Sequence, residues 1–553
     1  MKLVECVPNF SEGRNRVVID AIADSIRSVE GATLLDVDPG SATNRTVITF
    51  IGSPQSVAEA AFRAAARAAE LIDMRGHQGE HARMGALDVC PFVPVSGVTM
   101  DECVEIAREV GRRMGEELGI PIYLYEAAAT RPERTNLATV RRGEYEGLAA
   151  KLAQPEWAPD FGPSKPNLKS GATAVGAREF LIAYNVNLNT RDRRLAHDIA
   201  LDIREAGRAK RDSDGRILRD EAGVVIKKPG VFKEVKGVGW FIKEYGRAQI
   251  SMNLTNYKVT SVHAVFDEIC VQAERRGLRV TGSEIVGLIP RDALLQAGTH
   301  YLARQGRTCG IPEARVVEAA VQSLGLEDLK PFDPAERVVE YRVARRSPLV
   351  GLSLREFADE TSCDSPAPGG GSVAALLGSL AAALTAMVAA LTHGKKGHEA
   401  SRSEMDQVAV AAQEHKDNFL GAIDEDTAAF NLVLDASRMP RKTDEQKHAR
   451  AEALERANRG AVEVPLQVLR RCTLALPLID AVARRGNPNS LSDAGVAGLA
   501  LAAAAEGAYL NVRINLPGLA DGGSVREEAD RLVQEARDGG EAIRQYVLEH
   551  LQD

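Results

Sequence analysis

No Cys-x-x-Cys pair occurs in the chain, and its seven cysteines (6, 90, 103, 270, 309, 363 and 472) form an odd, widely scattered set. That excludes a disulfide framework and predicts a reduced, cytoplasmic protein. An excess of basic charge is also missing: 69 Lys+Arg stand against 77 Asp+Glu, a formal net charge of −8. Without a basic field, nucleic acid is excluded as a general partner, and any anionic ligand has to meet a local basic pocket. Acid and proline interrupt MKLVECVPNF before any apolar run, so this segment is not expected to act as a secretory leader. Only one uncharged stretch, the 21 residues 372–392, is long enough to cross a bilayer. It is mostly Ala, Gly, Ser and Thr, with five Leu, two Val and one Met, a composition that predicts a buried helix and no membrane span.

What is present is an ordinary globular composition, 44% hydrophobic and 26% charged, over 553 residues. At about 150 residues per domain the length suggests three or four domains. Aromatics are few and unevenly placed, with 20 of 25 before residue 351. The last 203 residues hold 38 alanines and a net charge of −9, against +1 for the first 350. Two folding styles share the chain.

Short β runs alternate with amphipathic helices in the first third. Strands are predicted over 2–7, 33–37, 45–51, 89–95 and 122–125, and helices over 17–27, 56–71 and 101–118. A Pro/Gly/Ser-rich loop, QPEWAPDFGPSKPNLKSG, follows at 154–171. A second round begins at Glu179 with strands over 179–188, 235–243, 247–253 and 278–284, and helices over 191–205, 262–275 and 291–304. Both rounds read β-α-β-β-α-β, a split-βαβ order giving a sheet with helices on one face. The charged stretch 211–230 is an insertion, a surface hairpin or loop. From Ser353 onward helical spacing dominates, over 372–392, 403–438, 443–474, 493–511 and 524–551, as in an all-α bundle. The expected organisation is therefore two α/β subdomains, 1–177 and 178–338, a linker at 339–351 and a helical domain at 352–553.

The densest chemical cluster is HQGEHARMGALDVCPFVPV (77–95). His77, Glu80 and His81 match a zinc-ligand spacing, H-x-x-E-H, yet the glycines around them make a poor helix. The residues fit a general acid/base histidine beside an arginine on a Gly-rich loop better than zinc, with a loop of solvated or core-satisfied histidines as the other alternative. PAPGGGSVAA (366–375) places glycines before a helix N-terminus, either an anion seat or a linker. In AIDEDTAAF (422–430), Asp424, Glu425 and Asp426 are either solvated helix acids or include a partly buried carboxyl that donates a proton.

Longer motifs carry a resemblance. VECVPNFSEGRN (4–15), LLDVDPGSATNRTV (34–47), GEHARMGALDVCPFVPV (79–95) and the WAPDFGPS…GATAVGAREFLIAYNVNL segments (157–188) resemble the glutamate formimidoyltransferases. APGGGSVAA, DEDTAAF, MPRKT (439–443) and AYLNVRINL (508–516) are similar to the formimidoyltetrahydrofolate cyclodeaminases. Their order matches the bifunctional formimidoyltransferase-cyclodeaminase family, the insertion at 211–230 being the main departure. The resemblance implies transfer of a formimidoyl group from N-formimidoyl-L-glutamate to tetrahydrofolate, then closure to 5,10-methenyltetrahydrofolate with loss of ammonia. The alternative is a transferase fused to a methenyltetrahydrofolate cyclohydrolase-like helical domain. It implies His81 as the acid/base of transfer and Asp426 as the acid of cyclisation, with Asp424 helping to hold a proton there. It also implies a folate-binding loop comprising Gly162, Pro163, Ser164, Lys165, Pro166, Asn167, Leu168, Lys169, Ser170 and Gly171. Polyglutamylated tetrahydrofolate is the implied co-substrate, with no metal, in a homo-oligomer.

Overall fold

A computed structural model describes every residue except 1, 42–43, 80–81, 344–347, 365–366, 520–521 and 552–553. Residues cluster into two units, Met1–Gln296 with Leu324–Ala344, and Ala297–Ser323 with Arg345–Asp553.

The first unit opens with β1 (Leu3–Cys6), β2 (Asn9–Phe10), α1 (Arg16–Arg27), β3 (Ala32–Gly40), β4 (Arg45–Gly52), α2 (Pro54–Leu71) and β5 (Leu87–Ser96). β3, β4, β1 and β5 lie side by side in that order, each antiparallel to its neighbour, the split-βαβ arrangement expected. α3 (Met100–Leu118), β6 (Ile122–Glu126), the short α4 (Leu137–Val140) and α5 (Leu148–Leu152), and β7 (Thr173–Ala177) extend it. β7 runs parallel to both β5 and β6. Its sequence, TAVGA, is buried at all five positions and so shows no alternation to announce a strand. Period-2 geometry splits the apolar residues between two faces. Cys90, Ile122, Leu124 and Val175 join the core under α1–α3, while Val89, Tyr123, Tyr125 and Ala174 pack with Leu148, Leu152 and Trp157 on the other face.

The second round consists of β8 (Ile182–Leu188), α6 (Arg193–Ile203), β9 (Arg208–Ala209), β10 (Lys227–Lys228), β11 (Val235–Ile242), β12 (Arg247–Leu254), α7 (Val262–Glu274) and β13 (Val280–Val286). Its four-stranded sheet has the order β11-β12-β8-β13, again antiparallel throughout. The inserted stretch is regular. β9 pairs with β10, and isolated bridges Arg211–Ile217 and Arg219–Val225 close two smaller hairpins beyond them. Asp212 Oδ1 accepts from the N–H groups of Asp214 and Arg216, and Asp220 Oδ1 from those of Ala222 and Val224. Gly215 and Gly223 supply the positive φ, 81° and 79°, that each turn requires.

Helices α8 (Arg291–Arg304), α9 (Glu313–Leu324), α10 (Pro334–Arg337), α11 (Val339–Val343) and α12 (Leu354–Thr361) lead to the long ones. These are α13 (Gly370–His393), α14 (Arg402–Arg438), α15 (Asp444–Arg485), α16 (Leu491–Asn515) and α17 (Gly522–His550). Within the second unit α13 packs on α14, α15 and α16, its buried side being Ala, Gly, Ser and Thr. A Cβ at Gly378 would stand 2.8 Å from the Phe419 ring, so the small residue is what admits the aromatic. α13 and the Pro488–Asn515 stretch are both long and apolar enough to cross a membrane, and α13 is largely buried against its neighbours. α15 runs past Leu474 to Arg485 with Pro465 and Pro477 inside it. The expectation of an end at Leu474 yields because Ile479, Ala481, Val482 and Ala483 are buried and hold the helix beyond the proline.

Candidate active sites

In the first unit, the loop joining α2 to β5 is pinned by side chains rather than by regular structure. Asp73 caps the turn at Met74–Gly76 and pairs with Arg75 at 2.5 Å. Hydrogen bonds from Arg75 hold the Asp73 carboxyl down at about 2. Asn44, buried and at φ 47°, accepts from the Gly13 N–H and donates to the Gln78 carbonyl, both at 3.0 Å. His77 Nε2 lies 2.9 Å from the Asn44 carbonyl, and Arg83 Nε donates to His77 Nδ1 at 3.3 Å. These partners set the tautomer, with Nε2 donating and Nδ1 accepting, and use both ring nitrogens. Arg83 also reaches Glu144 at 3.0 Å and Glu146 at 2.6 Å, and is itself buried. Arg75, His77, Arg83, Glu144, Tyr145 and Glu146 line a cavity of about 670 Å³. Glu80 and His81 lie outside the described residues. The zinc spacing therefore meets a His77 already engaged at both nitrogens.

Of the 162–171 loop, only the second half approaches this cavity. Tyr145 Oη donates to the Leu168 carbonyl at 2.6 Å, and the Met74 N–H to the Lys169 carbonyl at 2.9 Å. Lys169 Nζ donates to the Glu70 carbonyl at 2.6 Å, at the carbonyl-rich end of α2. Asn167 Oδ1 accepts from the N–H groups of Lys169 and Ser170, and Gly171 turns at φ 69° where a Cβ would stand 2.1 Å from the Met84 carbonyl. Gly162 at φ 82° packs on the Ile120 carbonyl, and Pro163, Ser164 and Lys165 are exposed, with Pro166 half-buried.

A larger cleft of about 920 Å³, which sequence reasoning missed, is lined by Asn9, Arg45, Tyr125, Arg141, Arg178 and Lys236, with Glu126, Glu179 and Glu234 among its acids. One carboxylate organises it. Asp88 is wholly buried, and its Oδ2 receives both Arg45 and Arg141 at 2.5 Å while its Oδ1 accepts from the Met84 N–H at 2.9 Å. One negative charge facing two guanidiniums leaves local positive excess, suited to a carboxylate ligand. Burial pulls the Arg45 pKa down from its ordinary value. Cleft and histidine loop meet at consecutive residues, since Asn44 holds the loop and Arg45 lines the cleft.

In the second unit, Asp426 on α14 meets the N-terminus of α13. Ser372 Oγ lies 3.1 Å from Asp426 Oδ2, 3.0 Å from the Ile423 carbonyl and 3.3 Å from Thr427 Oγ1. A Cβ on Gly371 would stand 2.2 Å from Asp426 Oδ1, so the glycine run lets the carboxyl lie on the backbone itself. Burial raises the Asp426 pKa, opposed by hydrogen bonds from the Ser372 hydroxyl and N–H. The anion seat at the glycine run thus holds one of the protein's own side chains. Asp424, two residues away, faces elsewhere. Its Oδ1 accepts from the Leu349 N–H at 2.9 Å and its Oδ2 is buried without a partner, because residues i and i+2 of a helix point to opposite sides. It does not share a proton with Asp426.

Two α/β rounds, the first on a mixed sheet and the second on an antiparallel one, with a basic cleft, followed in the chain by an all-α unit with a buried helix carboxyl, define a two-site enzyme. The family model for the formiminotransferase domain, N-terminal subdomain, matches residues 3–178, that for the formiminotransferase domain 183–344, and that for formiminotransferase-cyclodeaminase 353–534. Formimidoyltransferase-cyclodeaminase of Rattus norvegicus is 44% identical over 97% of this chain and 97% of its own. Glutamate formimidoyltransferase of Streptococcus pyogenes is 46% identical over 54% of this chain and 93% of its own. Methenyltetrahydrofolate cyclohydrolase of Methylorubrum extorquens is 37% identical over 35% of this chain and 95% of its own. The chain belongs to the formimidoyltransferase-cyclodeaminase family.

Proposed function

We propose that the first unit transfers the formimidoyl group from N-formimidoyl-L-glutamate to N5 of tetrahydrofolate, and that the second closes 5-formimidoyltetrahydrofolate to 5,10-methenyltetrahydrofolate. Similarity to the bifunctional relatives along 97% of the chain carries this reading over a cyclohydrolase-like second unit. In transfer, N5 attacks the formimidoyl carbon and gives up its proton, and the departing glutamate nitrogen takes one. His81 serves both ends, as a general base and then acid. What supports this is its place in the sequence between His77 and Arg83, both of which are held by hydrogen bonds. Arg45 and Arg141, organised by Asp88, take substrate carboxylates. Residues 162–171 border the folate, with Lys165 exposed to meet its glutamate part.

In cyclisation, N10 adds to the same carbon and gives up its proton, which passes to the imino nitrogen, and the C–N bond to ammonia breaks. Asp426 delivers the proton to the leaving nitrogen, a role that suits a carboxyl whose protonated form burial favours. Both steps are proton transfers at carbon–nitrogen bonds, and we assign no metal to either. The sites are carried by 1–338 and 352–553. Seven free thiols support a cytoplasmic location. Exposed Val496, Leu499, Leu510 and Ile514 on α16 support a homo-oligomer.

The test is partition of the two activities. His81→Ala abolishes glutamate release while sparing ammonia release from 5-formimidoyltetrahydrofolate, and Asp426→Ala does the reverse. Loss of both activities, or neither, in each variant refutes the assignment.

A further inference from the structure

Beside its cations, the 920 Å³ cleft is lined by four acids, Glu126, Glu179, Glu205 and Glu234. Three of them are already engaged. Glu179 pairs with Lys258 at 3.0 Å. Glu205 Oε2 accepts from the Glu234 N–H at 2.8 Å, and Glu234 Oε2 from the Thr255 hydroxyl at 2.5 Å. Glu126 differs: among the described residues no donor or cation pairs with its carboxylate. Lys236 and Arg178 act on it through space, outside ion-pair distance, and Arg178 Nη1 donates to the Glu179 carbonyl at 3.0 Å. Glu126 is the last residue of β6, paired with Ala177 of β7, and turns the chain at φ 52°. That left-handed conformation is uncommon for a residue with a side chain. The Tyr125 and Glu126 carbonyls accept from the Ala128 and Ala129 N–H groups at 3.2 and 3.1 Å, which closes the turn. Although the residue is exposed, the cleft walls strip enough water from the carboxyl to raise its pKa, against the pull of Lys236 and Arg178. A negative charge held there gains from a cationic partner, and the described residues supply none at contact.

We propose that Glu126 is a specificity-determining residue that receives the amidinium of N-formimidoyl-L-glutamate. This rests on the transfer reaction proposed above. An N-alkyl formamidine is protonated at neutral pH, so that substrate brings one cation along with its two carboxylates. Arg45 and Arg141 suit the carboxylates, and the amidinium calls for the opposite charge in the same cleft. Its planar N–C–N unit presents N–H donors to the oxygens of one carboxylate, as a guanidinium does. Pairing of this kind holds the group in its protonated, electrophilic form for attack by N5. It also discriminates. N-formyl-L-glutamate has the same shape with a carbonyl oxygen in place of the protonated nitrogen, and its lone pairs would face the Glu126 carboxylate.

The experiment compares the full chain with Glu126→Gln, which keeps the size of the side chain and removes its charge. Binding of N-formimidoyl-L-glutamate and of N-formyl-L-glutamate is measured by calorimetry, and turnover of the former by glutamate release. We expect the wild type to prefer the formimidoyl compound, and the preference to fall at least about tenfold in Glu126→Gln, as for loss of one charge-assisted pair. Glu126→Asp, which restores the carboxylate, recovers part of it. Glu126→Gly relieves the left-handed turn, so it unfolds no earlier than the wild type and still loses the preference. An unchanged ratio in Glu126→Gln with turnover retained overturns the proposal, as does an equal loss of affinity for both ligands. A wild type that discriminates the two ligands through Glu126 but releases no glutamate refutes the proposed function and upholds the amidinium site. A wild type that binds neither ligand overturns both.

Discussion

Replacing Asp88 by Asn tests whether one buried carboxylate organises the transferase half. The substitution preserves shape, and the amide oxygen can still accept from the Met84 N–H. Its NH2 then confronts Arg45 and Arg141, whose side chains are only 10% and 15% exposed, with donors against donors. Breaking such a pair leaves uncompensated buried charge, which costs about 3–5 kcal/mol. At the about 2–4 °C per kcal/mol typical of domains of 150–250 residues, unfolding should come up to about 6–20 °C earlier. Calorimetry on the full chain reads this as a shift in one transition while the helical unit's stays in place. Transfer should fall together with stability, and ammonia release from pre-formed 5-formimidoyltetrahydrofolate should not. Adding Arg45→Met and Arg141→Met to Asp88→Asn should recover much of the stability, since apolar groups can replace a buried ion cluster, without recovering transfer. Unchanged unfolding and unchanged transfer in Asp88→Asn would refute the reasoning.

Glu5 is 3% exposed, and burial raises its carboxyl to about 7, ahead of the opposing pull of Arg178. The folded state therefore binds the proton more tightly, and stability falls as pH rises from about 4.5 towards 7 and levels above it. Glu5→Gln should remove that fall, a relative gain of up to about 3 kcal/mol at pH 8 over pH 4.5 by denaturant titration. Ser372→Ala deletes a hydrogen bond that lowers the Asp426 pKa. If Asp426 acts as an acid, the alkaline limb of cyclisation then moves to higher pH, as a pH–rate profile would show. Gly371→Ala puts a methyl 2.2 Å from the Asp426 oxygen and should cut ammonia release by at least about 100-fold, the scale of losing a placed acid. Arg83→Lys keeps charge but not the fork that spans His77, Glu144 and Glu146, so transfer kcat should drop at least about tenfold, measured as glutamate release.

Both α/β rounds were readable because half-buried strands alternate and their helices are amphipathic. Arg45–Gly52 and Val262–Glu274 lie within one residue of the ranges their patterns predict. β7 was not readable, since a strand buried on both faces has no alternation, and the end of α15 was not, since tertiary burial outweighs a proline. The candidate sites show the same divide. Asp426 was picked out from a run of acids, yet its contact with Gly371 and Ser372 joins positions more than fifty residues apart. Asp88 and Arg45 stood in plain view inside the matching motifs. Nothing local distinguishes a buried carboxylate that gathers two arginines from a solvated one. Asn44 is the same case, a left-handed residue whose purpose emerges only once the histidine loop lies across it.

The grouping of 297–323 with the helical unit has a practical consequence. Thr308 Oγ1 donates to Asp406 Oδ1 at 2.6 Å, the Cys309 N–H to the same oxygen at 3.1 Å, and a Cβ on Gly310 would overlap Ala409. The polypeptide therefore passes from one unit to the other three times, after Gln296, Ser323 and Ala344. Cutting near residue 345 therefore removes 297–323 from the α14 surface it covers, and cutting before 297 separates 324–344 from the rest of the first unit. A split at either point should leave the half that loses its segment less stable than it is in the full chain, as thermal unfolding of the two fragments would show.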